Sequence, residues 1–266
     1  FIIGHGTVAV IDPGPDCDDH LAALMCALEG EVVSHIFVTH HHADHSPLSR
    51  ALSARAGAKI YSLPGVLADS DGGAVRLDAE DDAFFCPDVE IGDGYVAQGP
   101  GWTLEALHTP GHTSSHLCFA LLEEEALFCG DHVMAWSTSI VSPPDGDMGA
   151  YLLSLARIRD LGFRTLYPTH GPAITEPTMF IDATIAHRHA REAQVVALLR
   201  NGQADIRSMV DALYRDVERR LHPAAAHMLL AHLIHLSQRG LTTCDGAPGI
   251  QATWRLTAPI TGAVAA

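Results

Sequence analysis

The chain has a single lysine, Lys59, in 266 residues. It sets 16 basic side chains against 32 acidic ones, for a formal net charge of −16. Nucleic-acid affinity comes mostly from basic side chains that neutralise phosphates, so this balance argues against a nucleic-acid partner and for a small-molecule substrate. No apolar stretch reaches the length of a membrane span, and no secretory signal is visible. The six cysteines, at 17, 26, 86, 118, 129 and 244, form no C-x-x-C pair and no framework spacing. They read as reduced thiols, none at a zinc-ligand position, and a cytoplasmic protein is expected. The chain opens directly on Phe1-Ile2-Ile3, already strand-like, so some residues, such as a first strand, are expected to precede it, and a removed leader is left open. The length allows a large buried core and one large or two unequal domains; a homo-oligomer is open.

What the chain has in quantity is histidine, 18 in all. Five of the seven residues in Thr39-His40-His41-His42-Ala43-Asp44-His45 are histidine or aspartate. The segment follows an apolar run, residues 32–38, that reads as a buried strand. Alternation in an extended segment sends His40, His42 and Asp44 to one side, and a turn at Asp44 brings His45 round to join them. Imidazole and carboxylate are the donors that a Zn²⁺ or Fe-type site uses. Ser46-Pro47 then reads as a helix start, with Ser46 as N-cap, and the helix runs over 48–56 to stop at Gly57. The motif therefore occupies a strand-to-helix loop, where function is often carried.

Three more strand ends deliver donors. Thr109-Pro110-Gly111-His112 follows an apolar run at 102–107, Gly130-Asp131-His132 follows 126–129, and Pro168-Thr169-His170-Gly171 follows 165–167. Each alone is weak; the four in this order describe ligands brought to one sheet edge.

With these motifs the sequence resembles the metallo-β-lactamase superfamily over residues 1 to about 200. The helices and hairpin of a winged-helix-like tail over 201–266, with the segments Gly99-Pro100-Gly101-Trp102-Thr103-Leu104 and Leu107-His108-Thr109-Pro110-Gly111-His112-Thr113, narrow this: the chain looks like the β-lactamase-like protein subgroup related to glyoxalase II. The resemblance implies an α/β fold, the αββα sandwich, with two metals at one edge. It implies His40, His42 and His112 at one ion, Asp44, His45 and His170 at the other, and Asp131 bridging both. Two divalent ions are expected, Zn²⁺ first, with Fe or Mn as alternatives. In the redox diiron branch an acidic residue stands where His42 stands here, which argues for hydrolysis. The implied chemistry is a metal-bridging hydroxide acting on a small ester, thioester or lactone, with Asp44 catalytic as well as ligating. Single-strand endoribonuclease activity on the same site and a mono-iron sulfur dioxygenase are the alternatives.

Other histidines and acids carry weaker signals. His116 is assigned as catalytic, facing substrate, against an equal expectation that it is a strand histidine behind the ligands. His132 and Asp12 are expected behind the ligands, and His41 is expected to point away from them. His5, His20, His35 and His108 have no motif context. Asp147, Met148 and Tyr151 open a helix at 150–161 and stand equally as pocket residues or a plain helix start.

The catalytic domain is expected over 1–200 and a smaller domain over 201–266. Helical periodicity predicts a helix to about residue 200, another over 206–217 and a third over 223–239. A hairpin over 241–256, turning at Asp245-Gly246, completes a winged-helix pattern. Residues 203–266 carry six arginines against five acids, and the second helix has His and Ala where a DNA reader carries Arg, Lys, Asn or Gln. A packing role is therefore expected for it.

Overall fold

The computed structural model describes residues 1–65 and 81–257. They form two compact units, 1–185 and 186–266. Residues 258–266 of the expected C-terminal domain lie outside the described residues.

The first unit begins with β1 (Ile2–Ile3), β2 (Thr7–Ile11), α1 (Asp18–Ala27), β3 (Val32–Phe37), α2 (Leu48–Ala56), β4 (Lys59–Ser62) and β5 (Val89–Glu90). These strands make a sheet in sequence order, antiparallel between β1 and β2 and parallel from there on. Next come β6 (Val96–Gly99), β7 (Trp102–His108), β8 (Leu117–Leu121), β9 (Ala126–Gly130), α3 (Met148–Leu161) and β10 (Thr165–Pro168). They form a second sheet, ordered β10-β9-β8-β7-β6, antiparallel except at β9–β10. α4 (Pro177–Arg200) follows.

Side-chain alternation explains the layers. In β2, Ala9 and Ile11 face a core shared with Phe37, Leu104, Phe119 and Phe128 of the two sheets. Val8 and Val10 face the opposite way, with Ile36, Val38, Leu52 and Ile60, under α1 and α2. β2 and β8 are buried on both faces, as central strands of a covered sheet should be. Beside the second sheet, α3 buries Met148, Tyr151, Leu155 and Ile158, and its Ser154 hydroxyl donates to the Pro110 carbonyl at 2.8 Å. The result is the αββα sandwich. Trp102 links the sheets, donating its indole N–H to the Thr7 carbonyl at 2.9 Å.

Two helix starts differ from expectation. Ser46 does not cap α2; Pro47 holds that position, and the Ser46 hydroxyl donates to Asp82 at 2.9 Å. α3 begins at Met148 because the Asp147 carboxylate accepts from the Ala150 N–H at 2.7 Å. Asp147 is thus a helix cap.

The second unit takes α4 from Ala186 on, then α5 (Ile206–Leu213), α6 (His222–Gln238), β11 (Thr242–Cys244) and β12 (Trp254–Leu256), the last two antiparallel. This is the winged-helix arrangement. α5 stops short of the expected 217, and Tyr214 closes it with an N–H to the Val210 carbonyl. The expected boundary at 200 falls at the end of α4, whereas the compact units part after Ile185. The reason is that Val195 belongs to the C-terminal core, with Ile206, Met209, Leu229, Leu233 and Trp254.

A buried charge sits in this unit. Glu192, 4% exposed, accepts from His235 Nδ1 at 2.6 Å and Arg239 at 3.1 Å, with His232 at 3.7 Å and His189 at 3.6 Å. Burial alone would raise its pKa, but the partnership with His232 and His235 outweighs burial and pulls it from 4.5 to about 2. Burial in turn lowers the pKa of His232.

This packing makes two expectations measurable. Trp102→Ala is expected to cost about 3–5 kcal/mol, seen as a lower urea midpoint. Glu192 has a depressed pKa, so its contribution is present above pH 4.5 and fades as pH falls toward 2. Glu192→Gln should therefore lag wild type by roughly 2 kcal/mol at neutral pH and draw level in acid. An equal gap at pH 7 and pH 3 would refute this.

Candidate metal centre

The site is built from strand ends. At the end of β2, Asp12 takes a left-handed backbone, φ +47°, which aspartate tolerates better than most residues. Its carboxylate accepts from the Thr39 N–H and the Thr39 hydroxyl, each at 2.8 Å. It also accepts from His45 Nδ1 at 2.8 Å and the Thr169 hydroxyl at 3.4 Å.

These bonds fix tautomers. The Thr39 hydroxyl donates to Asp12, so it accepts from His40 Nδ1–H at 2.9 Å. His112 Nδ1–H donates to the Ile140 carbonyl at 2.6 Å. Both rings are thereby left with bare Nε2 lone pairs, which face each other at 3.3 Å. His42 Nδ1 completes the triangle, 2.9 Å from His40 Nε2 and 3.2 Å from His112 Nε2. One ring N–H at His42 can satisfy one contact; two lone pairs remain opposed, as they would be around a cation. Burial first, and neighbouring imidazoles second, hold His40 and His42 neutral, His42 with its pKa down to about 2.

A second group lies beside the first. His170 Nε2 is 3.0 Å from Asp44 Oδ2 and 3.4 Å from Asp131 Oδ1, and His45 Nε2 is 3.3 Å from Asp131 Oδ1. Asp131 reaches both groups, since its Oδ2 is 4.0 Å from His112 Nε2. Within each group, His40–His42–His112 and Asp44–His45–Asp131–His170, the donor atoms lie within 4.8 Å of one another. His45 Nε2, Asp44 Oδ1 and Asp131 Oδ1 are buried without a hydrogen-bond partner. Burial would lower the His45 pKa, but Asp12 and Asp131 raise it well above its ordinary value; the Asp44 hydrogen bond raises that of His170. Counted with Asp12, three carboxylates face two imidazoles here, so even with both rings protonated one negative charge is left over. The donor set fits divalent cations on three counts: opposed lone pairs, orphaned buried acceptors and imidazole–carboxylate chemistry.

All seven residues expected as ligands meet here. His116, expected as catalytic, packs behind the ligand candidates, its ring 5.2 Å from that of His40, and is closed to solvent. It is fully buried, with Nε2 accepting from the Asp131 N–H at 3.2 Å, so its Nδ1–H donates to the Thr109 hydroxyl at 2.9 Å. It lies where the alternative expectation put it, a strand histidine behind the ligands, in contact with the Asp131 backbone. Gly130 makes that contact possible, since a Cβ there would lie 2.6 Å from His116 Nε2. His132 is buried against Tyr151, ring centroids 4.7 Å apart, and His41 lies outside both groups, 3.5 Å from Asp81. His20, His35 and His108 make local contacts with Pro13, Ser34 and Ser114, while His5 lies 4.0 Å from Glu31.

Two residues in contact with the site gave no signal of this kind in the sequence. Thr39 looks like a strand-end residue, yet it joins Asp12 to His40. Trp136 belongs to no motif, yet its ring stacks on His170 with centroids 5.5 Å apart and planes 18° apart. Only its position in the loop after Gly130-Asp131-His132 could have drawn attention to it.

Asp12→Asn places an N–H where the carboxylate accepts donors. It is expected to weaken divalent-ion binding at the Asp44–His45–Asp131–His170 group about 10–100-fold, measured by chelator competition.

Comparison with known proteins agrees with this architecture. Residues 1–170 match the Metallo-beta-lactamase superfamily, and residues 206–254 match the Beta-lactamase associated winged helix domain. A Beta-lactamase-like protein 2 homolog of Caenorhabditis elegans is 30% identical over 79% of this chain and 67% of its own length. An Atrochrysone carboxyl ACP thioesterase of Aspergillus chevalieri is 32% identical over 76% of this chain, which spans 60% of that relative. A metallo-beta-lactamase family protein of Thermus thermophilus shares the fold, with a TM-score of 0.76 at 24% identity, covering 96% of this chain and 92% of that one. The match over residues 1–170 takes in both ligand groups and more than half of the sequence: this chain belongs to the metallo-beta-lactamase superfamily.

Proposed function

We propose that this chain is a dinuclear metallohydrolase acting on a small acyl thioester, with esters and lactones in the same reach. The observation that carries it is the opposition of bare Nε2 lone pairs from His40 and His112 at 3.3 Å, beside a surplus of buried carboxylate. His40, His42 and His112 would hold one ion, Asp44, His45 and His170 the other, with Asp131 shared. Three imidazoles suit Zn²⁺. When bound, such a pair of ions lowers the pKa of a water and polarises the scissile carbonyl.

The protein's own groups supply the rest. Thr39 and the Ile140 carbonyl keep two ring protons turned outward, so the lone pairs point inward. Asp12 does the same for His45. The Asp44 and His170 side chains are 35% and 23% exposed, while the other five ligand candidates are nearly closed to solvent, so substrate approaches over these two. Asp44 Oδ1, free of any protein donor, is placed to accept a hydrogen from the attacking water. Thioester is favoured within the class because relatives include named ACP thioesterases. The formal charge of −16 disfavours RNA. Among the described residues no helix is long and apolar enough to cross a membrane. All six thiols are free, which suits the cytoplasm.

Metal content per chain, paired with a panel of thioester, lactone, β-lactam, bis-aryl phosphodiester and short RNA, tests the reading. About two Zn²⁺ per chain with thioester turnover is expected. Turnover confined to the phosphodiester and RNA would overturn the substrate class, and a single iron without hydrolysis would overturn the reaction. Asp44→Ala should retain the ion of the three-histidine group, lose the second and lose turnover. Wild-type rates in a fully loaded Asp44→Ala protein would remove Asp44 from the mechanism.

A further inference from the structure

Trp136 is 69% exposed, yet its position is tightly specified. One face lies on the His170 ring. The Ala135 N–H donates to the His170 carbonyl at 3.0 Å. Gly171, at φ +109°, leaves room for this approach; a Cβ there would lie 2.7 Å from the Ala135 methyl and 3.2 Å from the Trp136 nitrogen. Downstream, the Ser139 hydroxyl donates to the His132 carbonyl at 3.0 Å, and the Ile140 carbonyl takes the His112 ring proton. Both ends of the 133–140 loop are therefore fastened to residues of the centre or their immediate neighbours. The large apolar ring held out in the middle contributes little to the core.

The same ring lines a cavity of about 280 Å³, walled also by Val133, Met134, Ala135, Tyr151 and Phe180 and by the hydroxyl side chains of residues 137–139 and Thr184. The volume is at the small end for ligand pockets, and the lining is mainly apolar. Trp136 thus forms one wall of an apolar cavity and the outer cover of His170. A substrate with its scissile carbonyl beside His170 and Asp44 would meet Trp136 next. A flat or short apolar group would rest on the indole and enter the cavity, whereas a charged group would meet no side chain of opposite charge among these walls. Aromatic rings stack on indole with useful directionality.

We propose that Trp136 and this cavity form the acyl subsite, selecting aryl and medium-length apolar acyl groups over acetyl. The proposal rests on the hydrolase reading above, with Trp136 as a specificity residue of that same site.

Its test uses metal-matched wild-type, Trp136→Ala, Trp136→Phe and Thr184→Phe proteins with the N-acetylcysteamine thioesters of acetate, hexanoate and benzoate. In Trp136→Ala the benzoyl-to-acetyl ratio of kcat/KM is expected to fall about tenfold or more, the scale of one large apolar contact in a specificity pocket. Trp136→Phe should restore most of it, since a ring remains. Thr184→Phe, which narrows the cavity wall, should lower the hexanoyl-to-acetyl ratio. A readout independent of turnover is benzoate quenching of tryptophan fluorescence, expected in wild type and absent in Trp136→Phe. Unchanged ratios in all variants, with thioester turnover intact, overturn the subsite and leave the hydrolase standing. Quenching by benzoate without turnover of any thioester removes the thioesterase reading and retains the subsite; absence of both removes the two together.

Discussion

The centre depends on one carboxylate. Asp12 ends β2 and gathers donors from the end of β3 (Thr39), from the loop beyond it (His45) and from the end of β10 (Thr169). Hydrogen bonds to a charged acceptor are worth about 1.5–3 kcal/mol each, and these also decide which ring nitrogen of His45 carries the proton. Through the Thr39 hydroxyl the same carboxylate sets the tautomer of His40. A single buried charge thus registers two sheets against each other and orients donors in both ligand groups.

That arrangement leaves negative charge in excess. Asp44 and Asp131 face His45 and His170 with oxygens that no protein donor satisfies, and the first group adds bare nitrogen lone pairs. Both conditions are costly in a low-dielectric interior and both are relieved by the same thing, a compact positive charge. The centre is therefore strained as a set of donors and satisfied as a set of ligands. The acidic character of the whole chain acts in the same direction by raising the local concentration of cations.

Much of this was legible before any coordinates. Local spacing placed His40, His42, Asp44 and His45 at one strand end, and short apolar runs located β7, β9 and β10 with the donors that follow them. Amphipathic period located α5 and α6, and the hairpin completed the winged helix. Other features depend on contacts remote in sequence. The two-residue β5 exists only through its pairing with β4, and no local signal announces it. Ser46 has the composition of a cap but finds a better acceptor in Asp82. His116 sits four residues after a ligand, yet its direction is set by the Asp131 N–H across the β8–β9 turn. Trp136 is invisible to periodicity because loops have none.

The loop over 133–140 is tied to the centre at both ends, and its middle touches the centre through one stacked ring. Its ends are tied to the His170 backbone, the His132 carbonyl and the His112 ring, while the side chains of Trp136, Ser137 and Thr138 make none of the hydrogen bonds that orient the ligand groups. Under the subsite proposed for Trp136, sequence change in that span would alter what the cavity accepts while the hydrogen bonds that orient the donors stay in place. On that reading, a lineage carrying this scaffold would change substrate preference by drift in a short span that makes none of the hydrogen bonds orienting the ligands.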